Sequence, residues 1–112
     1  MPPALYFSAE KSLVEEIESS GPPLGGFPSF NYEIKKYEFS KGDILVIMTD
    51  GFSERMNDNK QIYGWNKGSN LLLRNNMSSA NEIINKFVEV SDTWGAGKAQ
   101  DDDITFVVIK VK

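Results

Sequence analysis

The spacing of apolar residues changes along the chain, and each change marks an element. Ala4 to Phe7 and Leu13 to Ile17 are short apolar-rich stretches around the polar turn Ser8-Ala9-Glu10-Lys11-Ser12, and they predict two strands. Gly21-Pro22-Pro23-Leu24-Gly25-Gly26-Phe27-Pro28 is too rich in Pro and Gly for a helix or a central strand and predicts a loop. Tyr32 to Phe39 alternates apolar and charged residues but slips phase. Tyr32 and Ile34 share one face, Tyr37 and Phe39 the other, so a strand is expected with a bulge near Lys35 or Lys36. Ser40-Lys41-Gly42-Asp43 then turns the chain into Ile44-Leu45-Val46-Ile47-Met48, an unbroken apolar run that predicts a strand covered on both faces.

Further along, the period lengthens to that of a helix. Trp65 to Arg74 predicts a short helix weakened by Gly68. Ser79 and Glu82 have the spacing of a capping box, in which hydroxyl and carboxylate satisfy each other's free amides. Ala80, Ile83, Ile84, Phe87 and Val90 or Ser91 then mark one face of a second helix that stops before Gly95. The flexible loop Gly95-Ala96-Gly97-Lys98 leads to Asp101-Asp102-Asp103 and a last doubly apolar strand, Ile104 to Ile109. The order β-β-β-β-α-α-β predicts an α+β fold, with a mostly antiparallel five-stranded sheet and helices on one face. Such helices leave one side of the two apolar strands bare, so further structure is expected to cover it.

The 112 residues suffice for one domain over positions 1–112. The net charge of −4 gives no electrostatic case for nucleic acid or anionic lipid as a partner. Cysteine and histidine are both absent, which removes disulfides, thiol nucleophiles, thiolate zinc sites and imidazole chemistry. Any catalysis must run on carboxylates, lysine, hydroxyls or a bound hard metal. No apolar stretch approaches the roughly 18 residues of a membrane helix. The first residues lack the basic region and long apolar core of a signal peptide, so a cytoplasmic location is expected. Under that expectation the sequon Asn76-Met77-Ser78 has no use.

Two acidic turns carry the candidate chemistry. Thr49-Asp50-Gly51 closes the strand ending at Met48, and Asp101-Asp102-Asp103 opens the one beginning at Ile104. Each has a plain structural reading. Asp-Gly after a strand makes an ordinary turn with glycine at positive φ, and a charge run makes a solvated loop. Together they read differently. Three adjacent carboxylates repel, so an ordered triplet beside a core strand calls for a cation. Two strands that deliver carboxylates to one end of a sheet suit magnesium or manganese, which prefer oxygen donors and can activate water without histidine.

Other motifs fail on spacing. Gly95 to Ala99 has glycines too close together for a phosphate loop, and no Ser or Thr follows Lys98. Asn57-Asp58-Asn59-Lys60 opens like a calcium loop but lacks the required glycine and terminal glutamate. Ser53 has no base beside it, and Trp65 and Trp94 read as helix-packing residues.

Four segments, in order, resemble a known family: Gly21-Pro22-Pro23-Leu24-Gly25, Lys41-Gly42-Asp43-Ile44-Leu45, Met48-Thr49-Asp50-Gly51-Phe52-Ser53-Glu54-Arg55 and Asp102-Asp103-Ile104-Thr105. From Pro2 to Lys112 the chain is similar to PPM metal-dependent protein serine/threonine phosphatases, in the bacterial stage II sporulation protein E (SpoIIE) branch. The resemblance implies an antiparallel β-sandwich flanked by helices. It implies a two-metal site, holding Mn2+ or Mg2+, that activates water against a phosphoserine or phosphothreonine. It makes Asp50 and Asp102 metal ligands, Asp103 and Gly51 supporting residues, and a phosphorylated regulatory protein the substrate.

The family's domain is longer, and its N-terminal half, with the Asp-Gly turn that bridges both metals, has no counterpart between Met1 and Phe39. Met1-Pro2-Pro3-Ala4-Leu5 is therefore expected to be an internal point of a longer protein. With two aspartates and no bridging third, the chain alone is expected to bind at most one ion weakly, to show little or no phosphatase activity, and to self-associate through bare strand edges and faces. The alternative expectation is a non-catalytic module that self-associates or binds a partner.

Overall fold

The computed structural model describes residues 2–112. Its sheet has four strands, β1 (Ala4–Ser8), β2 (Leu13–Ile17), β3 (Ile44–Met48) and β4 (Phe106–Lys110). They lie in the order β2-β1-β3-β4, with every pair antiparallel. The β1–β2 hairpin forms as the polar turn predicts, Ala4 facing Ile17 and Ser8 facing Leu13. Ile44 pairs with Lys110 and Met48 with Phe106, so β3 and β4 run side by side along their full length.

The two-residue period sends Leu5, Phe7, Ile44, Val46 and Met48 to one face, where all are buried. Two long helices cover that face, α2 (Trp65–Arg74) against β1 and β2 and α3 (Ala80–Trp94) against β4. The capping box forms as expected. Glu82 N donates to Ser79 Oγ, and Ser79 N donates to the Glu82 carboxylate. Leu71, Leu72, Ile83 and Phe87 complete the core, with Trp65 and Trp94 packed at its edge, as their helical context predicts. Gly68 weakens the propensity of α2 and faces Phe52 and Leu5, where a Cβ would meet them at ordinary contact distances of 3.4 and 3.9 Å. The least extent of the molecule is 19 Å, the thickness of one sheet and one helix layer.

The opposite face is less covered. Leu45 and Ile47 are half-buried there, and Val107 and Ile109 are 48% and 50% exposed. In register, Leu45 lies beside Ile109 and Ile47 beside Val107, giving one continuous apolar patch. The doubly apolar strands thus have helices on one side only. No helix among the described residues is long and apolar enough to cross a membrane.

Three expectations are corrected. Tyr32 to Phe39 forms no strand, so the sheet has four strands rather than five. The phase slip reflects two different partners for its two halves, not a bulge. Tyr32 packs on Phe30, with ring centroids 4.8 Å apart, and donates its hydroxyl to the carbonyls of Pro22 and Pro23. Tyr37 and Phe39 instead lie over Tyr6 on the outer face of the sheet, at 6.1 and 5.5 Å. The last strand begins at Phe106 rather than Ile104. Finally, Thr49-Asp50-Gly51 leads into a one-turn helix, α1 (Asp50–Ser53), and Gly51 is not among the residues at positive φ.

Candidate metal centre

Strand pairing carries the two acidic turns to the same end of the sheet. Beyond the Met48–Phe106 pair, Thr49 continues the contact. Its amide donates to Thr105 O at 3.1 Å, its hydroxyl donates to Asp103 O at 3.1 Å, and Thr105 N donates to that hydroxyl at 3.0 Å. Thr49 therefore stitches the first acidic turn to the backbone of the second.

Gly51 is buried against the same stretch. A Cβ at this position would lie 2.5 Å from Asp103 O, closer than real Cβ contacts come. The glycine is required for close approach of two backbones rather than for an unusual φ. Phe52, the next residue, is fully buried and fixes the direction of α1. Its ring lies 5.0 Å from Tyr63, 5.1 Å from Phe87 and 5.3 Å from Phe106, so helix and sheet both grip it.

The carboxylates themselves stand outside this packing. Asp50, Asp101, Asp102 and Asp103 are all exposed. Asp50 opens α1 and lines a shallow cleft of about 340 Å³ with Glu54 and Trp65. Asp102 accepts the Asp103 amide at 2.7 Å on one oxygen, which orders its turn. The structure apposes the backbones that carry Asp50 and Asp103. Asp101 turns toward a different cleft, lined also by Arg55 and Lys98. No group of three His, Cys, Asp or Glu side chains converges into a metal cluster among the described residues. The donors fit a hard divalent ion in kind, being carboxylate oxygens.

Asp43 is the carboxylate whose importance the sequence analysis missed. It is 2% exposed and accepts three hydrogen bonds, from Ser40 N at 2.8 Å, Ala9 N at 2.9 Å and the Tyr6 hydroxyl at 2.8 Å. The Ser40 amide is the main cause holding its carboxyl below the ordinary value of 3.8, with Ala9 and Tyr6 adding to it against the opposing effect of burial. The Tyr6 hydroxyl is raised above 10.0, first by its bond to Asp43. Asp43 pins the β1–β2 turn to the start of β3 and has no part in the acidic end. Lys41-Gly42-Asp43 carried the signal, an acidic residue immediately before a buried strand.

An antiparallel four-strand sheet with helices on one face is the α+β arrangement of part of a PP2C-type phosphatase domain. Its overlay on the SiaA-PP2C domain of Pseudomonas aeruginosa has a TM-score of 0.82 at 17% identity, covering 98% of this chain and 43% of that one. A structure of the PP2C phosphatase domain and a regulatory-domain fragment of SpoIIE from Bacillus subtilis gives 0.74 at 22% identity, covering 98% and 31%. The model of the stage II sporulation protein E (SpoIIE) family matches residues 1–112, and the chain belongs to that family. Among curated proteins, Protein IcfG of Synechocystis sp. is 24% identical over 105 residues, which are 94% of this chain and 16% of that protein. The chain thus spans less than half of the relatives it matches.

Proposed function

We propose that this chain is part of a metal-dependent phosphoprotein phosphatase domain, to which it contributes Asp50 and Asp102 as metal ligands. The observation that carries the reading is the stitching of the two acidic turns through Thr49, Gly51 and Asp103. Close backbone packing at an exposed acidic end is hard to explain by stability alone, since it gathers like charges. Mn2+ or Mg2+ is the matching cofactor, because every donor is a hard oxygen.

Held there, a divalent ion supplies a Lewis acid and a water of lowered pKa, which a chain without histidine otherwise lacks. Asp50 and Asp102 bind and orient; Asp103 and Gly51 set the spacing of the turns. In the complete domain the substrate is a phosphoserine or phosphothreonine of a cytoplasmic regulatory protein. The chain alone offers too few ligands for a bridged pair of ions, so it hydrolyses phosphoserine peptides slowly or not at all.

The test is Mn2+ titration of the 15N-labelled chain, read by paramagnetic broadening of backbone amides. Broadening should centre on Asp50, Gly51, Asp102 and Asp103, and Asp50→Asn or Asp102→Asn should each weaken it at least about tenfold. Broadening centred elsewhere, or indifferent to both substitutions, would sink the proposal. The half-exposed Val107 and Ile109 favour a second reading, an association module that uses the outer face of the sheet. That reading requires no metal, so the same titration separates the two.

A further inference from the structure

Arg55 is the one buried basic side chain among the described residues, 5% exposed, and no carboxylate lies within ion-pair distance of it there. Nη2 donates to the backbone oxygen of Lys98, while the buried Nε has no acceptor. The guanidinium lies flat against Gly95, where any Cβ would collide with it. A guanidinium carries five donors and is costly to bury unpaired. An arginine kept in that state is short of an anion.

The space beside it is suitable. Arg55 lines a cleft of about 200 Å³ together with Lys60, Lys98, Asn57 and Asp101. Two motifs rejected one by one in the sequence form its walls. Asn57-Asp58-Asn59-Lys60 is a tight turn in which Asn57 Oδ1 accepts the amides of Asn59 and Gln61, and Lys60 sits at φ 57°. Gly95-Ala96-Gly97-Lys98 forms the opposite wall and brings Lys98, paired with Asp58 at 2.6 Å. Lys60 makes no ion pair among the described residues. With Lys98 taken up by Asp58, Arg55 and Lys60 remain against the single carboxylate of Asp101, a local excess of positive charge in a chain whose net charge is −4.

We propose that this cleft binds a phosphate-type oxyanion, held by the Arg55 guanidinium and the Lys60 ammonium. With Nη2 held by Lys98 O and Nε enclosed, the guanidinium meets the oxyanion through Nη1, a charge-assisted contact. The cleft is smaller than the roughly 300–1,000 Å³ typical of whole-ligand pockets, so it takes a phosphoryl group rather than a larger molecule. Asp101 opposes the anion from the rim. Neutralising the acidic triplet therefore strengthens anion binding, and by linkage a bound anion strengthens cation binding at the triplet. The site does not depend on the phosphatase reading, because it is tested with metal removed.

The experiment follows the side-chain Nε–H signals of Arg55 and of the other arginine, Arg74, in the 15N-labelled chain. Inorganic phosphate is titrated in EDTA at constant ionic strength. The Arg55 signal should shift to saturation while Arg74 stays in place. Lys60→Ala should weaken binding about threefold and Asp101→Asn should tighten it about threefold, the scale of one exposed charge pair. Both residues are exposed, so folding should survive either change. Phosphoserine serves as a second probe. Tighter binding than phosphate identifies a phosphomonoester as the occupant, and weaker binding identifies free phosphate; either requires the saturable Arg55 shift. An unmoved Arg55 signal, or affinities that ignore both charge variants, overturns the proposal.

Discussion

Gly51→Ala tests whether close backbone approach builds the acidic end. The added Cβ would stand 2.5 Å from Asp103 O, which must retreat by roughly 0.9 Å to reach an ordinary contact of 3.4 Å. That motion strains the Thr49 hydroxyl bond to the same oxygen, now 3.1 Å. Overpacking of this kind costs about 1–3 kcal/mol. Alanine gains at most about 1 kcal/mol over glycine in a helix, and less at the end of a single turn. The steric cost wins, and we expect net destabilisation of about 1–2 kcal/mol. Gly68→Ala is the control. Its Cβ would meet Phe52 at 3.4 Å and Leu5 at 3.9 Å, both ordinary contacts, so the propensity gain survives and stability rises by about 0.5–1 kcal/mol. Urea unfolding followed by circular dichroism gives both values, and Mn2+ titration should show weakened binding in the Gly51 variant only. A Gly51→Ala chain as stable as the parent, with unchanged Mn2+ broadening, would refute the reasoning.

Asp43→Asn should cost about 2–3 kcal/mol in urea unfolding near pH 6, since it weakens three hydrogen bonds to a charged acceptor. The folded pKa of Asp43 is lowered, so its contribution is complete above the unfolded value of 3.8 and fades as pH falls through the folded value. The gap between parent and variant should therefore narrow below about pH 4, and a gap independent of pH would count against the assignment. Phe52→Ala should cost about 3–5 kcal/mol, and Phe52→Leu under about 1.5 kcal/mol, by the same unfolding assay. Replacing Val107 and Ile109 with lysine should shift the chain toward monomer in sedimentation velocity, with the unfolding midpoint little changed. A parent chain already monomeric would remove the case for association through that face.

Much of the fold was legible because burial follows period. The β1–β2 hairpin, β3, both long helices and the capping box could be read from spacing alone, as each is set by neighbours in sequence. The failures share a cause. Tyr32 to Phe39 has strand-like alternation, but its halves answer to Pro22 and Pro23 on one side and Tyr6 on the other, and no local pattern encodes that. Asp50 and Asp102 were legible as carboxylates at strand ends. The parts that hold their turns together, Thr49 and the true reason for Gly51, depend on a backbone far along the chain. Arg55 gave no signal beyond its charge, because its burial arises from Gly95 and Lys98 folding over it.

The Thr49–Asp103 stitch spans 54 positions of sequence, whereas the hairpin and both long helices close over short distances. Closing a long loop costs entropy before any contact repays it, so the β3–β4 ladder should be among the last features to form. The two acidic turns then meet only after β4 has docked and the helices already support the sheet. A chain still emerging from synthesis, or one that has lost its last strand, has no assembled acidic end at all. Metal binding at that end would report that folding has been completed.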